Sequence, residues 1–305
     1  MEKGIKKSLW KSQTGDKIFA VALMIPAIIT TVSFILVPVV DSIYRSFFDY
    51  KVRNIISGQP VWNNFANYTK LFSNGKLIPS MTNTLAFVFG VVIAQFVLGM
   101  ALALILNSNV KFSRFIRSIM MVPWVVPTLI SGLVWLWMFQ PQYGLVKYFV
   151  GILTKGRITD FAILNNPATA MFGVSVAALW KQIPLATLLL LAGLANVPED
   201  MQEAAKIDGA NGVQRFFRIV LPYMKSVIKV TVSMSIIENF KQFPLFWTMT
   251  GGGPNNSTTT MAILSYREAF VSNNFGSGAA VTTVWMLMMI IVVYIYNRIF
   301  KSEDM

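Results

Sequence analysis

Six long apolar runs constrain the fold of this chain more strongly than any other feature. They lie at about residues 18–40, 81–106, 118–139, 168–195, 226–250 and 275–296. An α-helix rises about 1.5 Å per residue, so roughly 20 apolar residues cross the ~30 Å hydrocarbon core of a bilayer. Every backbone N–H and C=O must be satisfied inside that core, which favours helices over open strands. The sequence therefore predicts an all-α membrane protein with six transmembrane helices.

The polar composition agrees with that prediction and excludes several function classes. Only 13% of the 305 residues are charged, whereas soluble domains carry roughly 25%. The net charge is +13, but the lysines and arginines flank the apolar runs and form no basic stripe with interleaved aromatics, so no nucleic-acid partner is expected. The chain has no cysteine and no histidine, which excludes disulfides, thiolate chemistry and imidazole sites. A membrane-embedded enzyme is therefore the weaker alternative.

The distribution of lysine and arginine predicts the orientation of the helices. With the N-terminus inside, the inner segments hold 15 of these residues and the outer segments hold 9. Cytoplasmic loops carry the excess of positive charge, so both termini are predicted to be cytoplasmic. The predicted domains are a cytoplasmic tail at residues 1–17, a six-span domain at 18–300 and a second tail at 301–305. The same orientation places the polar loop 196–224 in the cytoplasm.

The polar loop 196–224 is predicted to form two short helices around a glycine corner. Pro198 suits the first helical position, and Glu199 and Asp200 suit the positive end of a helix dipole. Gly209 can take the left-handed conformation that ends a helix, and the turn after it permits a second helix to begin. The first helix would be slim enough to enter a groove in another protein.

Seven residues of this loop stand at a specific spacing. They are Glu203, Ala204, Ala205, Gly209, Ile219, Leu221 and Pro222. This pattern resembles the EAA loop of ATP-binding-cassette (ABC) importer permeases. The resemblance implies the type I ABC importer permease fold, in which the first helix of the loop is a coupling helix that docks into an ATPase subunit. The residues implied in coupling are Glu203, Ala204, Ala205, Asp208 and Gly209.

The same resemblance implies a set of partners. These are a second homologous permease subunit, two ABC ATPase subunits and an extracellular solute-binding protein, with membrane lipid around the chain. ATP and Mg²⁺ would bind to the partner ATPase. No cofactor or metal is expected on this chain, which has no Gly-Lys-Ser/Thr phosphate loop and is not expected to be an enzyme.

Polar side chains interrupt the fourth and fifth apolar runs. Lys181 lies in the fourth, and Glu238, Lys241 and Gln242 share a helical face in the fifth, one turn after Ser235. A charge at the bilayer centre costs about 2.5–3.5 kcal/mol on insertion scales, so these groups should face the bundle interior or water. They could line a path for a hydrophilic solute, or Glu238 could pair with Lys241 or Lys181 merely to lower the cost of burial. Both segments are predicted to break at a proline.

A glycine-rich segment follows the fifth run on the outer side. By physical chemistry alone, residues 251–260 are predicted to form a flexible turn. The stretch 248–254, Thr-Met-Thr-Gly-Gly-Gly-Pro, also resembles the carbohydrate branch of these permeases, specifically the maltose-permease first-subunit type. The chain departs from that type because it lacks extra N-terminal spans and a large outer domain. By this resemblance the solute pore is lined by Lys181, Gln182, Leu185, Ser235, Glu238, Asn239 and Gln242.

Together these features predict a permease subunit of an ATP-driven, binding-protein-dependent importer in a bacterial or archaeal cytoplasmic membrane. The expected solute is a carbohydrate, with an oligosaccharide favoured and its charge left open. Two alternatives remain. A secondary carrier for a polar solute would be expected to show an internal inverted repeat, which the sequence does not show. The second alternative is an ABC permease for a non-sugar solute.

Overall fold

The protein is described by a computed structural model that covers residues 2–58, 60–108, 111–157 and 162–300. The predicted tail at 301–305 lies outside the described residues. The helices are α1 (Glu2–Thr31), α2 (Val37–Arg45), α3 (Val52–Ser57), α4 (Ala66–Ser73), α5 (Leu77–Asn107), α6 (Ser113–Met120), α7 (Val122–Val125), α8 (Thr128–Met138), α9 (Leu145–Leu153), α10 (Ala170–Ala195), α11 (Glu199–Ile207), α12 (Gly212–Arg215), α13 (Leu221–Tyr223), α14 (Lys225–Phe240), α15 (Pro244–Met249), α16 (Met261–Tyr266) and α17 (Phe275–Ile299). Three π-helical segments (Val32–Leu36, Phe216–Val220 and Arg267–Val271) and two strands, β1 (Phe48–Asp49) and β2 (Val61–Trp62), complete the described elements.

Four of the described helical stretches are long and apolar enough to cross a membrane. They are Lys17–Arg45, Leu77–Asn107, Ala170–Ala195 and Phe275–Ile299. Two bent helix pairs bring the number to six if each pair is one span: Ser113–Val125 with Thr128–Met138, bent by 94°, and Gly212–Tyr223 with Lys225–Phe240, bent by 73°. The described residues therefore have the all-α membrane architecture that the apolar runs predicted, with four long helices and up to six spans.

The helices α5 and α10 pack closely along each other at the centre of the bundle. A Cβ atom on Gly99 would stand 3.5 Å from both the Ala186 Cβ and the Thr187 backbone nitrogen. Such close approach of small residues drives helix association in lipid, because lipid tails are as apolar as the side chains themselves. Phe87 of α5 continues the core toward α15, where its ring meets that of Phe246 edge to face at 4.7 Å.

The first span lies at the periphery of this bundle. None of residues 17–45 is buried. Its outer part, α2, packs against α17, whereas α1 makes its main contact with the π-helical turn that continues it.

Prolines act differently in three of the spans. Pro127 lies at the 94° break between α7 and α8. The predicted break at Pro184 is wrong: α10 runs unbroken from Ala170 to Ala195 with this proline inside it, because its close packing along α5 holds it helical. By contrast, α14 ends at Phe240, and α15 begins at Pro244. Only the fifth span is therefore interrupted next to its polar residues.

The outer segment between α2 and α5 folds on itself. The strands β1 and β2 pair antiparallel, with Phe48 opposite Trp62. The side chain of Asn67 on α4 donates through Nδ2 to the Ser46 oxygen at 2.7 Å and to the Phe48 oxygen at 2.8 Å. These bonds satisfy backbone carbonyls that a two-residue strand cannot pair. This short strand pair is a local exception in an otherwise helical fold.

The glycine-rich segment 251–260 is held by hydrogen bonds and is not the flexible turn that was predicted. Arg267 donates to the Gly251 carbonyl and to Asn256 Oδ1, both at 2.6 Å. Thr259 is 4% exposed and donates through Oγ1 to the Gly252 carbonyl at 2.9 Å. The prediction failed because the arginine that orders the segment lies beyond it in the chain.

We expect Gly252→Ala to destabilise the protein by roughly 1–3 kcal/mol, measured by thermal unfolding in detergent. Gly252 has a φ of +94°, and an added Cβ would stand 2.7 Å from Thr259 Oγ1 and 2.9 Å from Ile263 Cγ2. Gly90→Ala is the matched control, because nothing lies within 4 Å of its added Cβ. Equal stability of the two variants would contradict this account of the segment.

Candidate functional site

A cavity of about 520 Å³ lies between α10 and α14, beside the break in the third span. Its lining residues are Gln95, Trp124, Thr128, Lys181, Gln182, Leu185, Ala186, Leu189, Thr231, Met234, Ser235, Glu238, Lys241, Gln242 and Pro244. Six of the seven predicted pore residues are thus brought together around one space. The seventh, Asn239, lies behind the cavity wall and is 2% exposed.

Gln182 and Asn239 join α10 to α14 through a reciprocal pair of hydrogen bonds. Gln182 Nε2 donates to Asn239 Oδ1, and Asn239 Nδ2 donates to Gln182 Oε1, both at 3.0 Å. Asn239 Nδ2 also donates to the Ser235 carbonyl at 2.8 Å. Asn239 is therefore occupied by the protein itself, and it holds the Gln182 amide in place at the cavity wall.

Lys181 is bonded to the backbone of the broken third span. Its Nζ donates to the Trp124 carbonyl at 3.1 Å and to the Val126 carbonyl. These oxygens lie at the end of α7, where regular helical hydrogen bonding stops. A pair between Lys181 and Glu238 was one of the expected arrangements, and the structure does not form it.

Glu238 instead pairs with Lys241, the other expected arrangement. The Lys241 Nζ lies 2.7 Å from Glu238 Oε1, and the two side chains are 54% and 59% exposed. Both residues also line the cavity. The pair therefore lowers the cost of placing charge in the fifth span and still offers polar atoms to the cavity.

Gln95, Trp124 and Thr128 are among the lining residues that were not singled out from the sequence. Gln95 is 5% exposed, and its Nε2 donates to the Gln182 carbonyl at 3.4 Å. An amide in the middle of the second apolar run was a usable signal for this residue. Trp124 and Thr128 gave no such signal, because they reach the cavity only through the sharp bend of the third span.

The loop 196–224 forms the two predicted helices, α11 and α12, at the far end of α10. Gly209 has a φ of +82°, and the Ala210 nitrogen donates back to the Ala205 carbonyl at 2.9 Å, which closes α11 with a Schellman-type cap. Pro198 lies just outside α11, at the N-cap, and not at its first helical position as predicted. The second helix begins with a capping box between Asn211 and Gln214.

The predicted coupling residues lie together on this first loop helix and its cap. Glu203, Ala204, Asp208 and Gly209 are exposed, and Ala205 is half-buried. The helix also exposes apolar side chains, with Ile207 at 86% and Met201 at 45%. An exposed helix with both polar and apolar side chains has the chemistry of a surface that docks on another protein.

The donors needed for a metal site are not grouped in the part of the chain that the structure describes. Within the described ranges, no three or more aspartate, glutamate, histidine or cysteine side chains come together in a way that could hold a metal ion. The polar atoms of the cavity are amides, hydroxyls, one carboxylate and two ammonium groups. This set can exchange hydrogen bonds with a polar solute.

Residues 95–302 match the model of a protein family described as binding-protein-dependent transport system inner membrane component. This chain belongs to that family. The matched part of the permease contains both the cavity between α10 and α14 and the loop 196–224.

Three relatives are similar to the permease over nearly its whole length. The sulfoquinovosyl glycerol transport system permease protein SmoG of Agrobacterium fabrum is 31% identical, with 95% of this chain and 92% of SmoG covered. The trehalose/maltose transport system permease protein MalF of Thermococcus litoralis is 31% identical, with 91% and 92% covered. The sn-glycerol-3-phosphate transport system permease protein UgpA of Pectobacterium atrosepticum is 31% identical, with 92% and 93% covered.

The fold of the permease is also found in a solved structure. A chain of a bacterial ABC transporter involved in the import of the acidic polysaccharide alginate superposes with a TM-score of 0.80 at 20% identity. The superposition covers 97% of this chain and 99% of the other. The permease therefore has the type I ABC importer permease fold that its EAA loop predicted.

We expect Gln182→Leu and Asn239→Leu each to destabilise the permease and the double variant to cost less than their sum. Each single change leaves the other amide without its interhelical partner, and interhelical hydrogen bonds in membranes contribute about 0.6–1.7 kcal/mol. Unfolding in detergent measures the three variants, with Gln142→Leu, an exposed amide, as control. Strictly additive effects would show that the two amides do not support each other.

Proposed function

We propose that this permease is the transmembrane subunit of an ATP-driven importer for a carbohydrate and that its cavity forms half of the solute path. The observation that carries the proposal is the polar cavity between α10 and α14. Sugar hydroxyls both donate and accept hydrogen bonds. The amides of Gln182 and Gln242 offer both kinds of group, and the Glu238 carboxylate is a strong acceptor.

The relatives support a polyhydroxylated solute. Their names specify sulfoquinovosyl glycerol, trehalose or maltose, and sn-glycerol-3-phosphate. Each of these solutes carries two or more hydroxyl groups, and the first and third also carry an anionic group. The chemistry common to all three is hydroxyl recognition, which the cavity lining can supply.

The charges in the cavity favour a neutral carbohydrate over an anionic one. Lys241 is paired with Glu238, and Lys181 donates to two backbone carbonyls. Recognition of a sulfonate, phosphate or carboxylate calls for a cation that is available to form a charge-assisted hydrogen bond. Both ammonium groups of the cavity already have partners, so the solute is proposed to bind through hydroxyls.

The permease would work within a larger complex in a bacterial or archaeal cytoplasmic membrane. A second homologous permease would form the other half of the path, with two ABC ATPases on the cytoplasmic side and a solute-binding protein outside. ATP and Mg²⁺ would bind on the ATPases, and this chain would catalyse no reaction. Both termini and the loop 196–224 would be cytoplasmic. Closure of the ATPases would draw the coupling helices together and turn the permeases from inward-facing to outward-facing.

We expect Gly209→Val to uncouple transport from ATP hydrolysis in the reconstituted complex. A β-branched residue strongly disfavours the φ of +82° that closes α11. An added Cβ would meet nothing within 4 Å, so the effect should come from the backbone alone. Uptake should fall at least about tenfold while the ATPase still co-purifies and hydrolyses ATP.

Gly212→Val is the matched control, because Gly212 lacks a positive φ and also has nothing within 4 Å. It should transport normally. Normal uptake by Gly209→Val would remove α11 from its proposed role.

We expect Gln242→Leu to lower uptake of the solute by about tenfold, because it removes hydrogen bonds to a hydroxyl and leaves that hydroxyl unpaired. Uptake and solute-stimulated ATPase activity would be measured with neutral mono-, di- and oligosaccharides, a uronic-acid oligosaccharide and glycerol phosphate. Gln142→Leu, which changes an exposed amide outside the cavity, is the control. A response only to the anionic compounds, with uptake lost in Lys241→Met, would overturn the neutral-carbohydrate proposal.

A further inference from the structure

Six aromatic rings form a continuous row that leads away from the cavity between α10 and α14. We call this cavity the midplane cavity, because Lys181 and Gln182 in its lining stand halfway along α10. In order the six rings are Phe243, Trp247, Tyr266, Phe270, Phe275 and Tyr50, and the successive ring centroids lie 5.8, 4.6, 5.2, 5.8 and 6.1 Å apart. We call these six residues the aromatic row. It joins α15, the end of α16 with the π-helical turn after it, the start of α17 and the segment after β1.

The inner end of the aromatic row lies at the rim of the cavity. Phe243 stands in the chain between Gln242 and Pro244, and both of these residues line the cavity. The next ring, Trp247, is 39% exposed, and Phe270 further along is 61% exposed. Part of the aromatic surface is therefore exposed and not consumed by ring-to-ring packing.

The outer end of the aromatic row opens into a second cavity of about 440 Å³. Tyr50, Phe270 and Phe275 line this cavity together with Asp41 and Arg45. The guanidinium of Arg45 lies 4.7 Å above the centre of the Tyr50 ring and is paired with Asp41. The row thus connects two cavities that both carry polar and charged groups.

The surroundings of the aromatic row do not fit a lipid-facing belt. Interfacial aromatic belts lie at one depth across many helices. This row instead runs along helix axes, from Phe243 to Trp247 and from Tyr266 to Phe270, each a step of four residues. Charged side chains accompany it at both ends, with Lys241 beside the inner cavity and Arg45 in the outer one. Charges inside a membrane face a protein interior or a water-filled path.

We propose that the aromatic row is a series of stacking subsites for the sugar rings of an oligosaccharide, which extends the solute path outward from the midplane cavity. This proposal rests on the carbohydrate function proposed above. The face of an aromatic ring is electronegative, and the C–H face of a pyranose is apolar with partial positive charge, so the two stack favourably. Stacking does not depend on a hydrogen bond of fixed geometry, so a sugar can pass from one ring to the next.

The aromatic row also implies a preference for solute length. A monosaccharide can occupy the midplane cavity or one ring of the row, but only a longer chain occupies the cavity and the row at once. Oligosaccharides should therefore depend on these rings more than short sugars do.

Cysteine labelling tests whether the row faces the solute path. The chain has no native cysteine, so Trp247→Cys and Phe270→Cys give single reporters whose labelling is read on the band of this chain in the reconstituted complex. A small, impermeant thiol reagent added outside should label both. A saccharide that stimulates the ATPase activity should slow this labelling. Phe89→Cys replaces an exposed ring of α5 outside the row and should show no such protection.

Transport measurements test the stacking itself. Trp247→Leu and Phe270→Leu keep an apolar side chain and remove the ring, so each should lower the apparent affinity for a tri- or longer saccharide by about two- to tenfold. The effect on a disaccharide should be smaller. Trp247→Phe retains a ring and should restore most of the loss.

The outcomes separate this inference from the function on which it rests. Labelling with protection, together with length-dependent loss in the leucine variants, supports the aromatic row as a sugar path. Two results would contradict the aromatic row as a sugar path but not the carbohydrate importer. One is the absence of external labelling. The other is normal oligosaccharide transport in both leucine variants while Gln242→Leu is impaired. If an unrelated solute stimulates the ATPase activity of the complex and no saccharide does, both the aromatic-row proposal and the carbohydrate function are contradicted.

Discussion

Hydrogen bonds from α10 in two directions fix the walls of the cavity. Lys181 bonds the carbonyls of Trp124 and Val126 at the break of the third span, and Gln182 beside it bonds Asn239 of the fifth. The hydrocarbon core supplies no water to a broken helix, so a break at membrane depth requires donors from the protein. Lys181 supplies such donors to the third span, and Gln182, the next residue of the same helix, holds the fifth span through the side chain of Asn239.

The polar groups in and behind the cavity wall divide into those that the fold uses and those that stay exposed to the cavity. Lys181 and Asn239 are committed to protein acceptors, and the latter is almost fully buried. Glu238, Lys241 and Gln242 stay at the surface of the cavity, where the first two neutralise each other. This division explains how a membrane span carries several polar residues without a large insertion cost, because each charge is either paired or hydrogen-bonded.

Much of this arrangement could be predicted from the sequence because the signals are local. The length of the apolar runs gave the spans, and Gly209 indicated a helix end because only a residue that tolerates positive φ suits that place. The polar residues of the fourth and fifth spans pointed to the cavity. The partner of Lys181 was not predictable, since its acceptors lie more than fifty residues earlier and are backbone atoms freed by a bend. The order of residues 251–260 was missed for a similar reason, because Arg267 acts from outside the segment.

The unbroken course of α10 through Pro184 has a mechanical consequence. Gln182 at the cavity and Leu194 near the loop 196–224 are twelve residues apart on one unbroken helix, which is about 18 Å at 1.5 Å per residue. At the far end, Leu194 packs in one apolar cluster with Val197 and Val220, which flank the loop helices α11 and α12. In the function proposed above, an ATPase that displaces the loop would therefore tilt the whole of α10 and so move the residues at the cavity.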